Sequence, residues 1–178
     1  PLNFEYQMAA PFLFEPFSVM KPAAAADAEG KKKIYADSEF REAFKARIDG
    51  ARKEFKGAFD KTVISQHQKN GELDEQVLAD VARERGMTPT DLLLDLALET
   101  NLETRFRMPV ANHDEDEVEP LLKSGATVIG LSDAGAHASQ LCDACQPTYF
   151  LGRWVREKQS FTGEEAVRML TSRPAEVA

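Results

Sequence analysis

The chain has 178 residues with 43% hydrophobic and 29% charged side chains, enough for about one domain with a sizeable core. A net charge of −8 argues against non-specific nucleic-acid binding, which needs a basic surface, and no apolar run reaches the roughly 18 residues that span a bilayer. Two cysteines are too few for a disulfide scaffold of this size, so a reducing compartment, the cytoplasm, is expected.

Leu2 to Met8 alternates apolar and polar and predicts a strand with Leu2, Phe4, Tyr6 and Met8 on one face. Pro11, Pro16 and Pro22 then exclude a long helix and predict a loop that packs Phe12, Phe14 and Phe17 into the core. Residues 23–33 are expected to form a mobile loop or short helix ending in three solvated lysines. Ser38 to Lys56 predicts one amphipathic helix, capped by Asp37 or Ser38, with Phe40, Phe44, Ile48, Ala51 and Phe55 in a stripe and Gly57 as its stop. Lys61 to Ser65 predicts a short strand.

Leu73 to Arg85 predicts a second helix that stops at Gly86. A third starts at Thr88, with Pro89 at its first position and Asp91 closing the cap, and is apolar on most sides from Leu92 to Leu98. Arg105 to Val110 alternates again, and Pro109 makes it an edge strand or ends it near Met108. Asp114 to Ser124 predicts a helix with acids in its first turn and Val118, Leu121 and Leu122 inward, closed by Gly125.

Thr127 to Leu131 reads as a buried strand that stops at Ser132-Asp133-Ala134-Gly135-Ala136-His137. Pro147 to Lys158 predicts a helix burying Phe150, Leu151, Trp154 and Val155. Thr162-Gly-Glu-Glu165 is a capping box opening another helix, with Ala166, Val167, Met169 and Leu170 on its apolar side. The alternation from residue 105 onward predicts parallel strands joined by crossover helices, an α/β fold of about four strands and six helices. A closed barrel takes roughly 250 residues, so this length holds only part of one. A strand already running at Pro1 and a helix opening near Pro174 lead us to expect a piece of a longer protein; the alternative is a small domain with frayed ends.

Asp133 is the chief candidate for chemistry. A carboxylate at a strand's C-terminal end can ligate a divalent metal, take a proton from metal-bound water and pass it to a leaving nitrogen. The same residue can cap the following turn through its backbone, and spacing alone favours that reading. His137 lies four residues on, and Gly135 lets the loop fold back, so it can bind metal or substrate or stabilise the loop. Two candidate ligands are fewer than the three or four that zinc takes. Cys142-Asp-Ala-Cys145 has redox or zinc spacing but no second ligand pair and no strand just before it. Packed or semi-buried thiols are the favoured reading there. His67 and His113 are read as surface or capping residues.

The run from Val128 to His137, followed by Cys142-Asp-Ala and Pro147-Thr-Tyr-Phe-Leu151, resembles the last barrel strand and loop of the amidohydrolase superfamily. The branch is that of the N-acyl-D-amino-acid deacylases. Phe161 to Ala175 resembles the helical segment that follows, and Gly71 to Leu96 fits the pattern between barrel strands; residues 1–60 match weakly.

The resemblance implies a partial (β/α)8 TIM-barrel segment of a metal-dependent hydrolase. Residues 1–60 would supply a strand, loop and helix, 61–104 a helical insertion, and 105–178 the last barrel strands. It implies zinc or another divalent ion, with Asp133 at the metal as ligand and proton shuttle and His137 near the substrate, a small N-acyl compound. The family's H-x-H pair does not occur in this sequence, so the chain alone is expected to be inactive. Uncovered barrel faces, above all Leu92–Leu98, predict a homo-oligomer. The competing readings are a non-catalytic interaction module and a small Cys/His metal or redox domain.

Overall fold

The phenylalanine-rich start sets the larger of two cores. In the computed structural model, which describes residues 2–135 and 143–177, Phe14 is fully buried. It meets Tyr6 and Phe44 edge-on at centroid distances of 5.4 Å. Phe55 and Phe59 lie 6.2 Å away in the same manner. Prolines deny this stretch a long helix, so its aromatics reach the core from tight turns.

The chain divides into two units, Phe4–Val110 and a second made of Pro1–Asn3 with Ala111–Ala178. In the first, β1 (Leu2–Gln7, its first two residues grouped with the second unit) leads through the aromatic turns to α1 (Lys21–Ala25) and α2 (Ala28–Ala36). Next come α3 (Ser38–Asp49), α4 (Lys53–Asp60), β2 (Val63–Gln66), β3 (Gln76–Val77), α5 (Leu78–Glu84), α6 (Pro89–Glu99) and β4 (Arg105–Ala111). The four strands lie in the order β1-β4-β2-β3.

Several expectations are overturned here. The sheet is open, and β2 pairs antiparallel with both β3 and β4, so parallel pairing with crossovers is not what this sequence adopts. β4 sits between two strands rather than at an edge. Pro109 is tolerated because β2 pairs only with Arg105–Arg107, so that neighbour asks no hydrogen bond of the missing N–H. The helix expected over Ser38 to Lys56 is two helices. Gly50 ends α3, where an added Cβ would lie 3.2 Å from the Ala46 carbonyl oxygen, and Gly57 falls inside α4.

The second predicted helix starts only at Leu78, because Gln76–Val77 is drawn into the sheet. Residues 23–33 take the helical one of their two expected forms, as the end of α1 and the start of α2 broken at Ala26 and Asp27, with the Asp27 carboxylate accepting from the Gly30 N–H at 2.8 Å. Leu92, Leu93, Leu94, Leu96 and Ala97 are fully buried within the unit, so the uncovered face that motivated the expected oligomer is absent. The packing is fixed by polar ties as well: Arg41 of α3 donates to Asp95 of α6 at 2.6 Å and to the Tyr35 carbonyl of α2 at 2.8 Å.

The second unit holds α7 (Glu115–Lys123), a 3-10 turn at Asp143–Cys145, α8 (Gln146–Tyr149), a π-helix over Phe150–Glu157, α9 (Gly163–Leu170) and α10 (Ser172–Ala175). Its smaller core is Phe150, Trp154 and Ala166, flanked by half-buried Val118, Leu122, Ile129, Val155, Phe161, Met169 and Leu170. Three residues expected inside face solvent: Leu121 at 58%, Val167 at 54% and Leu151 at 39% exposure. The larger number of residues per turn in the π-helix shifts its apolar stripe, with the Lys158 N–H reaching back five residues to the Arg153 carbonyl at 2.9 Å. The expected strand at Thr127–Leu131 does not form, since residues 127–133 carry no regular structure. Among the described residues, no helix is long and apolar enough to cross a membrane.

Candidate functional site

The site is best built from α7 outward. Asp114 caps this helix, accepting from the Asp116 N–H at 3.1 Å, and acids in the first turn complement the helix dipole. The chain leaves α7 through Gly125, whose φ of 70° favours glycine, and the Thr127 hydroxyl donates back to the Leu121 carbonyl at 2.8 Å. Ile129 then docks against the small core, while Val128 and Leu131 are 40% and 80% exposed.

Asp133 follows in a left-handed backbone conformation, φ 57°, and is exposed. Aspartate is one of the few non-glycine residues that adopts this region readily. The local turn bond goes to its neighbour: the Ala134 N–H donates to Ser132 Oγ at 3.4 Å. The Asp133 carboxylate therefore faces solvent without a hydrogen bond from any described residue. It lines a hollow of about 350 Å³ within this unit, together with Ser132, Glu115, Cys145, Tyr149 and Trp154.

The π-helix and α8 supply a second feature that the sequence did not reveal. Tyr149 and Arg153 lie four residues apart and both reach Glu115. Arg153 donates from Nε to Oε1 at 2.9 Å and from Nη2 to Oε2 at 2.7 Å, and the Tyr149 hydroxyl donates to Oε1 at 3.1 Å. Lys158 Nζ stands 3.3 Å from Oε2. The Arg153 hydrogen bonds, followed by Lys158 and Tyr149, hold the Glu115 carboxyl at about 2, well below its ordinary 4.5. Burial, then the Glu115 carboxylate, push the Tyr149 hydroxyl up. Only the first-turn position of Glu115 was legible in advance; its partners lie over thirty residues away in the chain.

The other candidates separate. His137 and Cys142 lie outside the described residues. Cys145 is an exposed free thiol. His67 belongs to the first unit and is 3% exposed, so of its two readings, surface or capping, the surface one is corrected. Its Nδ1 accepts from the Asn70 N–H at 3.0 Å and its own N–H donates to Asp74 at 2.7 Å, so it pins the turn after β2. Nε2 lies 3.5 Å from the Glu99 carboxylate. His113 is half-buried in the connection between β4 and α7.

A zinc ion needs three or four ligands brought together. Among the described residues no three His, Cys, Asp or Glu side chains are grouped to hold a metal, so these residues do not by themselves fit the ion. What Asp133 offers is a solvent-facing carboxylate beside a hollow, able to accept or hold a proton. No protein-family model, curated protein or solved structure matches the chain.

Proposed function

We propose that this chain is part of a metal-dependent amidohydrolase that cleaves the C–N amide bond of N-acyl-D-amino acids or related compounds, and that it is inactive on its own because its sequence lacks the H-x-H pair. The reading is supported by the resemblance of Val128–His137 to a last barrel strand and its loop. The observation that carries it is the Asp133 carboxylate, unclaimed by any described residue, in a left-handed turn at the edge of a hollow. In this reading Asp133 accepts a proton and returns it to the leaving nitrogen, and residues 127–131 act as a strand of a (β/α)8 barrel when the remaining strands are beside them.

The reading has two tests. The purified chain is expected neither to bind stoichiometric zinc nor to hydrolyse an N-acyl-D-amino acid, and finding both would overturn the claim that it is inactive alone. A longer protein containing this chain is expected to carry an H-x-H pair after a strand and to hydrolyse such a compound. There, Asp133→Asn is expected to lower kcat by about a hundredfold or more, the loss typical of a removed general acid–base. Unchanged kcat would remove Asp133 from the chemistry.

A further inference from the structure

The turn after β2 carries chemistry of its own, in the first unit and independent of Asp133. It is built on Asn70-Gly71, the one place in the chain where an asparagine precedes a glycine. Asn70 is half-buried, while Gln68, Lys69, Gly71 and Glu72 around it are exposed. It opens a 3-10 turn over Gly71–Leu73, and its Oδ1 accepts from the Glu72 N–H at 3.1 Å. That bond folds the carboxamide back along the Gly71 peptide and draws electron density from the Cγ carbonyl.

The Gly71 N–H donates to no acceptor among the described residues, so its nitrogen can give up its proton to water. Bringing that nitrogen onto Cγ requires rotation about the Asn70 ψ, now 93°, against one bond from the Leu73 N–H to the Asn70 carbonyl at 3.2 Å. Gly71 leaves room for the rotation. It has no Cβ, and an added one would meet nothing nearer than Asp74 Oδ2 at 3.9 Å.

We propose that Asn70 is a site of spontaneous covalent modification, with water as the only co-reactant. The Gly71 nitrogen loses its proton and attacks Asn70 Cγ. A C–N bond forms and closes a five-membered imide, the Cγ–Nδ2 bond breaks, and ammonia leaves with that proton. Water then opens the imide. Addition at Cγ leaves aspartate, and addition at the main-chain carbonyl leaves isoaspartate, whose backbone runs through Cβ and Cγ. The lengthened backbone and the freed carboxylate cannot keep both the Leu73 bond and the bond from the Asn70 N–H to His67 Nδ1 at 3.0 Å. The new charge also enters a turn that already holds Glu72, Asp74 and Glu75. This turn ties β3 to β2 through the Glu75 N–H, which donates to the Ile64 carbonyl at 2.7 Å, so isoaspartate loosens the short β3 edge.

The purified native chain is held at neutral pH over several days and its peptides are weighed. A mass gain of about 1 Da is expected at Asn70, faster as pH rises because the attacking nitrogen must lose its proton. Asn3, Asn101 and Asn112 are expected to stay unchanged over the same time. Gly71→Ala is accommodated, since its Cβ makes ordinary contact and the φ there is not left-handed, and it is expected to slow the gain at least about fivefold. The isoaspartate form, separated by ion exchange, is expected to exchange its Glu75 amide faster than the parent while Phe106 stays protected. Asn70→Asp adds the same charge without the extra backbone carbon and is expected to leave Glu75 exchange unchanged. The site is refuted by no gain at Asn70, by a gain only in urea, or by an equal rate in Gly71→Ala. Parent-like Glu75 exchange in the isoaspartate form would overturn the loosening of β3.

Discussion

Replacing Glu115 by glutamine keeps the side chain's shape and removes its charge. In the native protein Arg153, the largest influence, holds this carboxyl at about 2 against an ordinary 4.5. A group whose pKa is depressed by folding contributes stability that is complete above its unfolded value and is lost as pH falls through its folded value. The contribution of Glu115 is therefore present above about 4.5 and disappears toward about 2. At about 1.4 kcal/mol per tenfold, the full displacement sets a ceiling near 3 kcal/mol. The side chain is 24% exposed, and solvent screening brings the expected value down to about 1–2 kcal/mol.

The assay follows from where tryptophan lies. Trp154 is the only one in the chain, is 5% exposed and sits in the small core beside Arg153, so its fluorescence reads unfolding of the second unit. Urea unfolding of the parent and of Glu115→Gln is compared from about pH 6 down to about pH 2.5. The variant is expected to be less stable at the upper end by about 1–2 kcal/mol, and the two curves are expected to converge as acid protonates the parent carboxyl. Other carboxylates titrate in both proteins and cancel in the difference. A constant difference across the window, or none at the upper end, would refute the assignment of this acid-labile stability to Glu115.

Two further expectations concern the first unit. Phe14→Ala removes a fully buried ring from among five aromatic neighbours and should cost about 3–5 kcal/mol in chemical unfolding followed by circular dichroism; a loss below about 1 kcal/mol would show that the site collapses around the smaller residue. Thr100→Val strips the acceptor of the Thr104 N–H, which bonds Thr100 Oγ at 2.8 Å in a fully buried setting, and should cost about 1–3 kcal/mol, with Thr100→Ser restoring most of it.

The helix starts were legible because a cap is a local object. Asp37, Thr88, Asp114 and Thr162 each accept a backbone N–H within three residues, and in the box at Thr162 the Glu165 carboxylate returns the bond at 2.8 Å. Strand partners and interior position were not, because they depend on distant chain. Arg105 to Val110 carries the same residues whether it lies at an edge or between neighbours, and only β1 on its other side makes it interior. Leu92–Leu98 announced burial but not by what; α2, α3 and α5 of the same unit pack on α6. At the candidate site Asp133 was singled out by its own stretch, whereas the Glu115–Arg153–Tyr149 cluster depends on two helices meeting and has no sequence signature.

The stretch before Asp133 bears most directly on function. β-Branched apolar residues suit a strand only when neighbours take up their backbone groups and cover their side chains. Among the described residues Thr127–Leu131 has no ladder partner, and Leu131 and Val128 stay open to water while Ile129 docks. Amide hydrogen exchange separates an unpaired segment from a paired one, because opening costs range from near zero in loops to the global stability in core strands. The amides of Val128, Ile129 and Leu131 are expected to exchange close to the unprotected rate, while Ile64 and Phe106, paired in register across β2 and β4, exchange slowly. Protection of Val128–Leu131 equal to that of Phe106 would mean that a strand forms here after all, and Asp133 would then sit at a strand end, as barrel chemistry requires. Fast exchange that becomes slow only in a longer protein would tie the assembly of the site to the pairing of this strand.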